Sequence, residues 1–210
     1  MDRVNSNGGT GPLSDSHIDY RELYGLQDRI LDTVFTTESE FYLTGGTCIS
    51  RFYKAKRYSD DLGFFTHQSP RFAFAVRNII LELRKTFTVN TEVETKNFIR
   101  LNVESRLQID FVNDIAYRHK EPVVTERGYL IDTIENILAN KLNAVTARDN
   151  PKDIFDIVLI YHYYTFSWEE VLFAAHKKAD FSDEDLIIRL KSFPIRRRTE
   201  SVGSLHENQL

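Results

Sequence analysis

Two neighbouring stretches decide the reading of this chain: Leu43-Thr44-Gly45-Gly46-Thr47, and then Arg57-Tyr58-Ser59-Asp60-Asp61-Leu62-Gly63-Phe64-Phe65. Phe41-Tyr42-Leu43 reads as a short strand, and Ile49, Phe52 and Tyr53 fall at helical spacing behind the glycines, so the local order is strand, glycine turn, helix. Glycines leaving a strand let the backbone come close to an anion, and the helix start behind them offers unpaired N–H groups and the positive end of a dipole. Thr47 adds a hydroxyl there. The same triplet occurs at Gly8-Gly9-Thr10 with no strand before it and no helix after it, so context marks out Gly45, Gly46 and Thr47 as the candidate phosphate cradle.

Outward from this centre, Leu23, Leu26, Ile30, Leu31, Val34 and Phe35 form one face of a helix over Ile18 to Phe35. Leu62 to Thr66 reads as a second strand. Ser69-Pro70 supplies an N-cap and a first-turn proline ahead of Phe72, Val76, Ile79, Ile80 and Leu83. Three β-type stretches follow in hairpin-like order, Thr86 to Val93, Asn97 to Val103 and Leu107 to Val112. Beyond about residue 130 the pattern is helical. Asp132 and Glu135 suggest a capping-box start to the stripe Ile134, Ile137, Leu138, Leu142 and Val145, and Asn150-Pro151, Ser167 and Ser182 suggest three further starts. The expectation is an α/β (α+β) body with a mixed sheet over 19–130. A helical bundle over 131–198 completes the site, between flexible ends at 1–18 and 199–210.

Composition narrows the class. At 41% hydrophobic and 28% charged, the chain has the balance of a globular protein rather than a disordered, fibrous or membrane one. Its longest apolar candidate, Ile154 to Trp168, is interrupted by Asp156, and the opening MDRVNSNGGTGPLSDS lacks the apolar core of a secretory signal. The single cysteine, Cys48, excludes an internal disulfide and suits a reducing compartment, so a cytoplasmic location without a membrane partner is expected. A net charge of −4 argues against a broad basic face for polynucleotide, and Arg196-Arg197-Arg198 beside a polar C-terminus reads as a solvated tail.

Asp61 and Asp110 are acids in strands whose neighbours want burial, and such a carboxylate needs a cation, hydrogen bonds or a basic partner. The bland account pairs them with Arg57 or Arg106, or puts them at strand ends. Taken together near the glycine turn, they suggest a magnesium site holding a nucleoside triphosphate.

These residues resemble the AbiEii/AbiGii-type nucleotidyltransferases, many of them toxins of toxin–antitoxin or phage-defence systems, within the polymerase-β-like superfamily. The family pattern is Gly-Gly-Thr/Ser, a spacer, then Arg-x-Ser-x-Asp-Leu/Ile-Asp-Phe, with a third acid on a later strand. The chain matches at Gly45, Gly46, Thr47, Arg57, Ser59, Asp61, Leu62, Phe64 and Asp110. A second block, Lys141, Arg148, Lys152-Asp153 and Asp156, is similar to the family's helical motif, and the resemblance spans roughly residues 40 to 160. It implies Asp61 and Asp110 as metal ligands for Mg2+ or Mn2+. It implies Gly45, Gly46, Thr47, Arg57, Ser59 and Lys141 as nucleotide-binding, and Asp61, Asp110 and Asp153 as catalytic together with position 63. It further implies an NTP substrate, an RNA acceptor such as a tRNA 3′ end, and a cognate antitoxin. A small-molecule acceptor is the alternative within the superfamily.

The departure is Gly63, which stands where the family carries its second aspartate. Positions 61 and 63 of a strand share a face, whereas Asp60 points the other way, so the expected site is one ligand short and turnover impaired. Either catalysis has decayed naturally or the acid was removed deliberately, and a dead nucleotide- or partner-binding protein is the rival reading. Lys141 lies in the middle of an apolar stripe. It either reaches the triphosphate, so that removing it weakens nucleotide binding without unfolding the chain, or pairs with a buried carboxylate. Asp153, third after Asn150, could equally serve a capping box.

Other chemistries are weaker. Six histidines show no metal-ligand pairing, and His162 on an apolar helix reads as a core residue. Cys48 at a helix start could have a lowered pKa but lacks an evident base. Tyr161, Tyr163 and Tyr164 read as core or interface aromatics rather than stacking platforms.

Overall fold

Asp19 starts the first helix by accepting hydrogen bonds from the backbone N–H groups of Arg21 and Glu22, at 2.9 and 3.3 Å. In this computed structural model residues 19–192 are described, so the expectations for both chain ends, including Arg196–Arg198, lie outside the described residues. Helix α1 (Tyr20–Thr37) leads to β1 (Tyr42–Thr44), the short α2 (Gly45–Cys48) and a π-helical turn at Ile49–Tyr53. Next come β2 (Asp61–His67), α3 (Phe72–Leu83), β3 (Val89–Glu94), β4 (Phe98–Val103) and β5 (Leu107–Asp114). The described residues end with β6 (Val123–Val124), β7 (Leu130–Ile131), α4 (Ile134–Ala147), α5 (Pro151–Tyr163), α6 (Trp168–Lys178) and α7 (Asp183–Ser192).

The strands form one mixed sheet in the order β3-β4-β5-β2-β1-β7-β6, with β2–β5 and β1–β7 parallel and the other pairs antiparallel. Alternation along β2, β4 and β5 sends Leu62, Phe64, Ile99, Leu101, Ile109 and Phe111 to one face, where they are buried. The rings of Phe64 and Phe111 stack at 5.3 Å there, with Phe35 of α1 edge-on to Phe64 and Phe41 between Phe111 and Phe72 of α3. The other face carries Asp61, Gly63, Arg100, Gln108 and Asp110, of which Asp61 is exposed and the others half-buried. Helices α4 to α7 form the second layer, packed around α4, and α2 bridges from the sheet to α4 and α5.

Several boundaries differ from the sequence expectation for local reasons. The stretch from Thr86 begins as a helix end, with the Thr86 and Phe87 N–H groups bonded to the Leu83 carbonyl, so β3 starts only at Val89. Ser69 accepts from the Arg71 N–H at 3.1 Å, but α3 begins after Arg71. Helix α4 is capped by Thr133, which accepts from Asn136 N–H, because Asp132 turns inward to other partners. The pair β6–β7 was not foreseen, and it extends the sheet past β1. Asn150, Ser167 and Ser182 do accept from N–H groups two or three residues on, as expected. Among the described residues no helix is long and apolar enough to cross a membrane.

Candidate nucleotide site

The glycine turn is built by three constraints. Gly45 takes φ +73°, a left-handed conformation that side chains rarely adopt. Gly46 has no room for a side chain, since a Cβ there would lie 2.1 Å from Arg57 Nη2. Arg57 is itself fixed by a two-point pair with Asp156 of α5, Nε to Oδ1 and Nη2 to Oδ2 at 2.8 Å each. Thr47 faces back into the fold: its hydroxyl donates to the Asp61 carbonyl and lies 2.7 Å from the Ser59 hydroxyl, which sits 3.3 Å from Asp61 Oδ1. Ser59 is held in turn through its carbonyl by Gln27 Nε2 at 2.9 Å and through its N–H by the Tyr24 hydroxyl at 3.2 Å. The turn and the acid-bearing start of β2 are thus one hydrogen-bonded unit.

Lys141 and Asp153 belong to the network behind Arg57. The Lys141 ammonium lies 2.7 Å from both Asp153 Oδ1 and Asp156 Oδ2, and Arg148 Nε donates to Asp153 Oδ2 at 2.8 Å. Both aspartates are 1% exposed. Burial by itself would raise the Asp153 pKa, but the Lys141 and Arg148 charges outweigh it and hold the carboxyl below its ordinary value. Lys141 is therefore in the carboxylate-paired arrangement, and Asp153 spends its oxygens on cations rather than on the N-cap of α5. Removing the lysine would take one cation from two buried carboxylates and leave Asp153 to Arg148 and Asp156 to Arg57, so its loss is expected to cost stability as well as any nucleotide contact.

On the open face, the sheet register sets four residues in one row: Arg100 opposite Asp110, Asp110 beside Gly63, and Gly63 opposite Thr44, the residue leading into the glycine turn. Arg100, not Arg57 or Arg106, is the partner of Asp110. Its Nε and Nη2 reach the two carboxylate oxygens at 2.7 and 2.8 Å, and Gln108 adds a bond at 3.2 Å. Arg106 instead meets Glu22 at 2.9 Å. Asp60, just ahead of β2, is paired with Lys152 Nζ at 2.8 Å. A cleft of about 580 Å³, lined in part by Asp61, Gln108, Asn102 and Arg106, opens beside Asp61.

A pair of divalent ions needs several converging carboxylates. Asp61 is exposed and bonded only to hydroxyls, Asp110 is engaged by Arg100, and Gly63 offers no oxygen; among the described residues no group of three or more His, Cys, Asp or Glu converges on a common point. The residues present do not fit a two-ion site. A Cβ at position 63 would meet only the Thr44 carbonyl at 3.8 Å, an ordinary contact, so nothing in the packing demands glycine there.

Sequence reasoning missed Arg100, Gln27 and Tyr24, and read Asp132 only as a helix cap. Counting back along the hairpin from Val103 opposite Leu107 would have found Arg100. Asp132 is buried against Thr44: it accepts from the Thr44 hydroxyl at 2.7 Å, the Asn136 amide at 2.8 Å and the Thr133 N–H at 3.0 Å. Burial pushes its pKa up to about 6 despite those donors. Cys48 is fully buried, and burial, followed by the Asp132 charge, drives its thiol well above the ordinary value, which overturns a lowered pKa at the helix start. His162 is exposed rather than in the core. Tyr164 packs against the core, but Tyr161 and Tyr163 are exposed, with Lys54 and Lys56 Nζ 4.6 and 5.7 Å from the Tyr163 ring centre.

A strand, glycine turn and helix feeding an acid-bearing strand of a mixed sheet, backed by helices, defines a protein of the nucleotidyltransferase fold. Solved structures agree. The chain is similar to JHP933 from Helicobacter pylori, with 21% identity and a TM-score of 0.54 over 84% of this chain and 75% of that one. It is also similar to MenT4, a nucleotidyltransferase toxin from Mycobacterium tuberculosis H37Rv, with 14% identity and a TM-score of 0.54 over 80% of this chain and 70% of that one. No curated protein matches the sequence. Residues 29–207 match the family described as "Nucleotidyl transferase AbiEii toxin, Type IV TA system", and the chain belongs to that family of toxin–antitoxin nucleotidyltransferases.

Proposed function

We propose that this chain takes a nucleoside triphosphate across the Gly45–Thr47 turn, and that the complete form of its site moves the nucleoside monophosphate to an acceptor hydroxyl with release of pyrophosphate. The backbone of Gly45 and Gly46 meets the phosphates, Thr47 and Ser59 tie that turn to Asp61, and Arg57 backs Gly46. Lys141 and Asp153 support the nucleotide indirectly, through the Asp156–Arg57 pair. The reading is supported by the row Arg100–Asp110–Gly63–Thr44, in which Gly63 lies between Asp110 and the residue leading into the glycine turn. An acid at 63 would join Asp61 and Asp110 as a set of three suited to Mg2+ or Mn2+. With glycine there, transfer is impaired.

RNA is the favoured acceptor, a tRNA 3′ end included. Lys54 and Lys56, which have no carboxylate partner among the described residues, meet an exposed tyrosine in the chain segment leading into Arg57, a combination that suits a single strand. A cognate antitoxin and a cytoplasmic location complete the proposal. Gly63 also favours a second reading, a binding protein in which the fold persists without turnover.

The test is transfer of radiolabelled nucleotide from each of the four NTPs to total RNA, purified tRNA and small hydroxyl acceptors. It compares the chain as it is, Gly63→Asp, and Gly63→Asp with Asp61→Ala. Labelling by Gly63→Asp alone supports the enzyme with an impaired site. Equal labelling by the unaltered chain removes the impairment, and silence from all three folded proteins favours the binding protein.

A further inference from the structure

We propose that Arg100 is the resident cation of this site, meeting the phosphates of a nucleoside triphosphate where a divalent ion would otherwise stand, so that nucleotide binding by this chain is metal-independent. The inference rests on the reading that the triphosphate lies across the Gly45–Thr47 turn. Arg100, Asp110, Gly63 and Thr44 stand abreast on four adjacent strands, so Arg100 faces the glycine turn across three strand spacings, about 14 Å between backbones. An arginine side chain and an extended triphosphate together cover that span.

The guanidinium is equipped for this. It spends Nε and one Nη2 hydrogen on Asp110, leaving both Nη1 hydrogens and the second Nη2 hydrogen as donors, and its side chain is 34% exposed. The Asp110 bond also raises its pKa, so it stays charged wherever the protein is folded. Two-point contact with a phosphate is a geometry that arginine supports and lysine does not.

Gly63 fits the same account. An acid between Asp110 and the turn would repel a phosphate unless an ion neutralised it. Glycine removes that repulsion, and Arg100 neutralises the neighbouring Asp110. The two features together make a row that tolerates phosphate without a metal, whereas either one alone would not.

The experiment is calorimetric titration of the whole chain with each of the four NTPs, once in EDTA and once in Mg2+. At least one NTP is expected to bind with a Kd in EDTA within about threefold of that in Mg2+. Arg100→Gln should raise the EDTA value at least about tenfold, and Arg100→Lys should fall between, with melting temperatures compared throughout. Gly63→Asp should make binding depend on Mg2+. Binding that needs Mg2+ in the unaltered chain, or that ignores both Arg100 variants, overturns the role of Arg100 while leaving the nucleotide site standing. No binding of any NTP in either buffer removes the nucleotide reading itself and this inference with it. Should Arg100→Gln fail to fold, the Lys variant decides, since an EDTA Kd equal to that of the unaltered chain would refute the two-point contact.

Discussion

Arg57 and Asp156 are 99 positions apart in sequence and meet through two parallel hydrogen bonds of 2.8 Å directly behind Gly46. This pair joins the helical layer to the glycine turn, and it links the block around Lys141 and Asp153 to that turn through Asp156 and Arg57. Lys141 holds Asp156 from the other side, so the turn's position depends on charge balance inside the helices.

Gly46→Ala should therefore cost much more than Gly45→Ala. At 46 the new Cβ must dislodge Arg57 from a buried pair, a loss of about 3 kcal/mol or more. At 45 the cost is backbone strain alone, roughly 1–2 kcal/mol. Urea unfolding of both variants measures the difference, and equal losses would show that Arg57 yields without penalty.

Lys141→Ala should destabilise by about 1.5–3 kcal/mol, because two buried carboxylates lose a shared cation while each keeps an arginine partner. Lys141→Ala combined with Asp153→Asn should recover part of that loss. A Lys141→Ala protein that melts with the unaltered chain but binds NTP more weakly would instead put the ammonium on the triphosphate.

Gly63→Asp should fold with a stability within about 1 kcal/mol of the starting chain, since the nearest neighbour of the added Cβ is 3.8 Å away and glycine within a strand is itself unfavourable. Its melting temperature should rise with Mn2+, whereas that of the unaltered chain should not. A rise in both would mean that Asp61 and Asp110 suffice to hold the ion.

Asp132 gives a pH signature. Its folded pKa of about 6 lies above the unfolded value, so the folded state binds the proton more tightly, and this group's contribution falls as pH rises from about 4 to 6, then levels. The difference in stability between the unaltered chain and Asp132→Asn should shift in that window by about 2 kcal/mol. Asp153 acts oppositely, because its depressed pKa supplies stability that is lost only in stronger acid. A flat difference between pH 4 and 7 would mean that the three donors to Asp132 offset its burial.

Single-stranded RNA binding should weaken about tenfold in Tyr163→Ala, as expected for the loss of one stacked base. Lys54→Ala with Lys56→Ala should lower the salt slope by about 1.4 if both meet phosphate. Filter binding over a series of salt concentrations reads both. Unchanged slopes would move the acceptor away from this surface.

Sequence alone determined most of the element order, though not β6 and β7, because apolar spacing and turn residues act locally: the strand, glycine turn and helix at 41–53, the amphipathic helices, and the caps at Asn150, Ser167 and Ser182 are set by residues a few positions apart. Resemblance to the family pattern marked Gly63 as the departure, and strand alternation placed it on the same face as Asp61. What sequence left open concerned partners. Lys141 could have pointed to phosphate or carboxylate, and only the approach of α4 to α5 committed it to Asp153 and Asp156. Asp110 needed a cation, but the register of β4 against β5 chose Arg100 over Arg57 and Arg106. Asp132 read as a helix cap until β7 docked beside β1 and turned its carboxylate onto Thr44. Local pattern fixes where a side chain begins. Which charge it meets depends on strand order and helix packing across tens of residues, because burial makes an unpaired charge so costly that the tertiary arrangement must supply its partner.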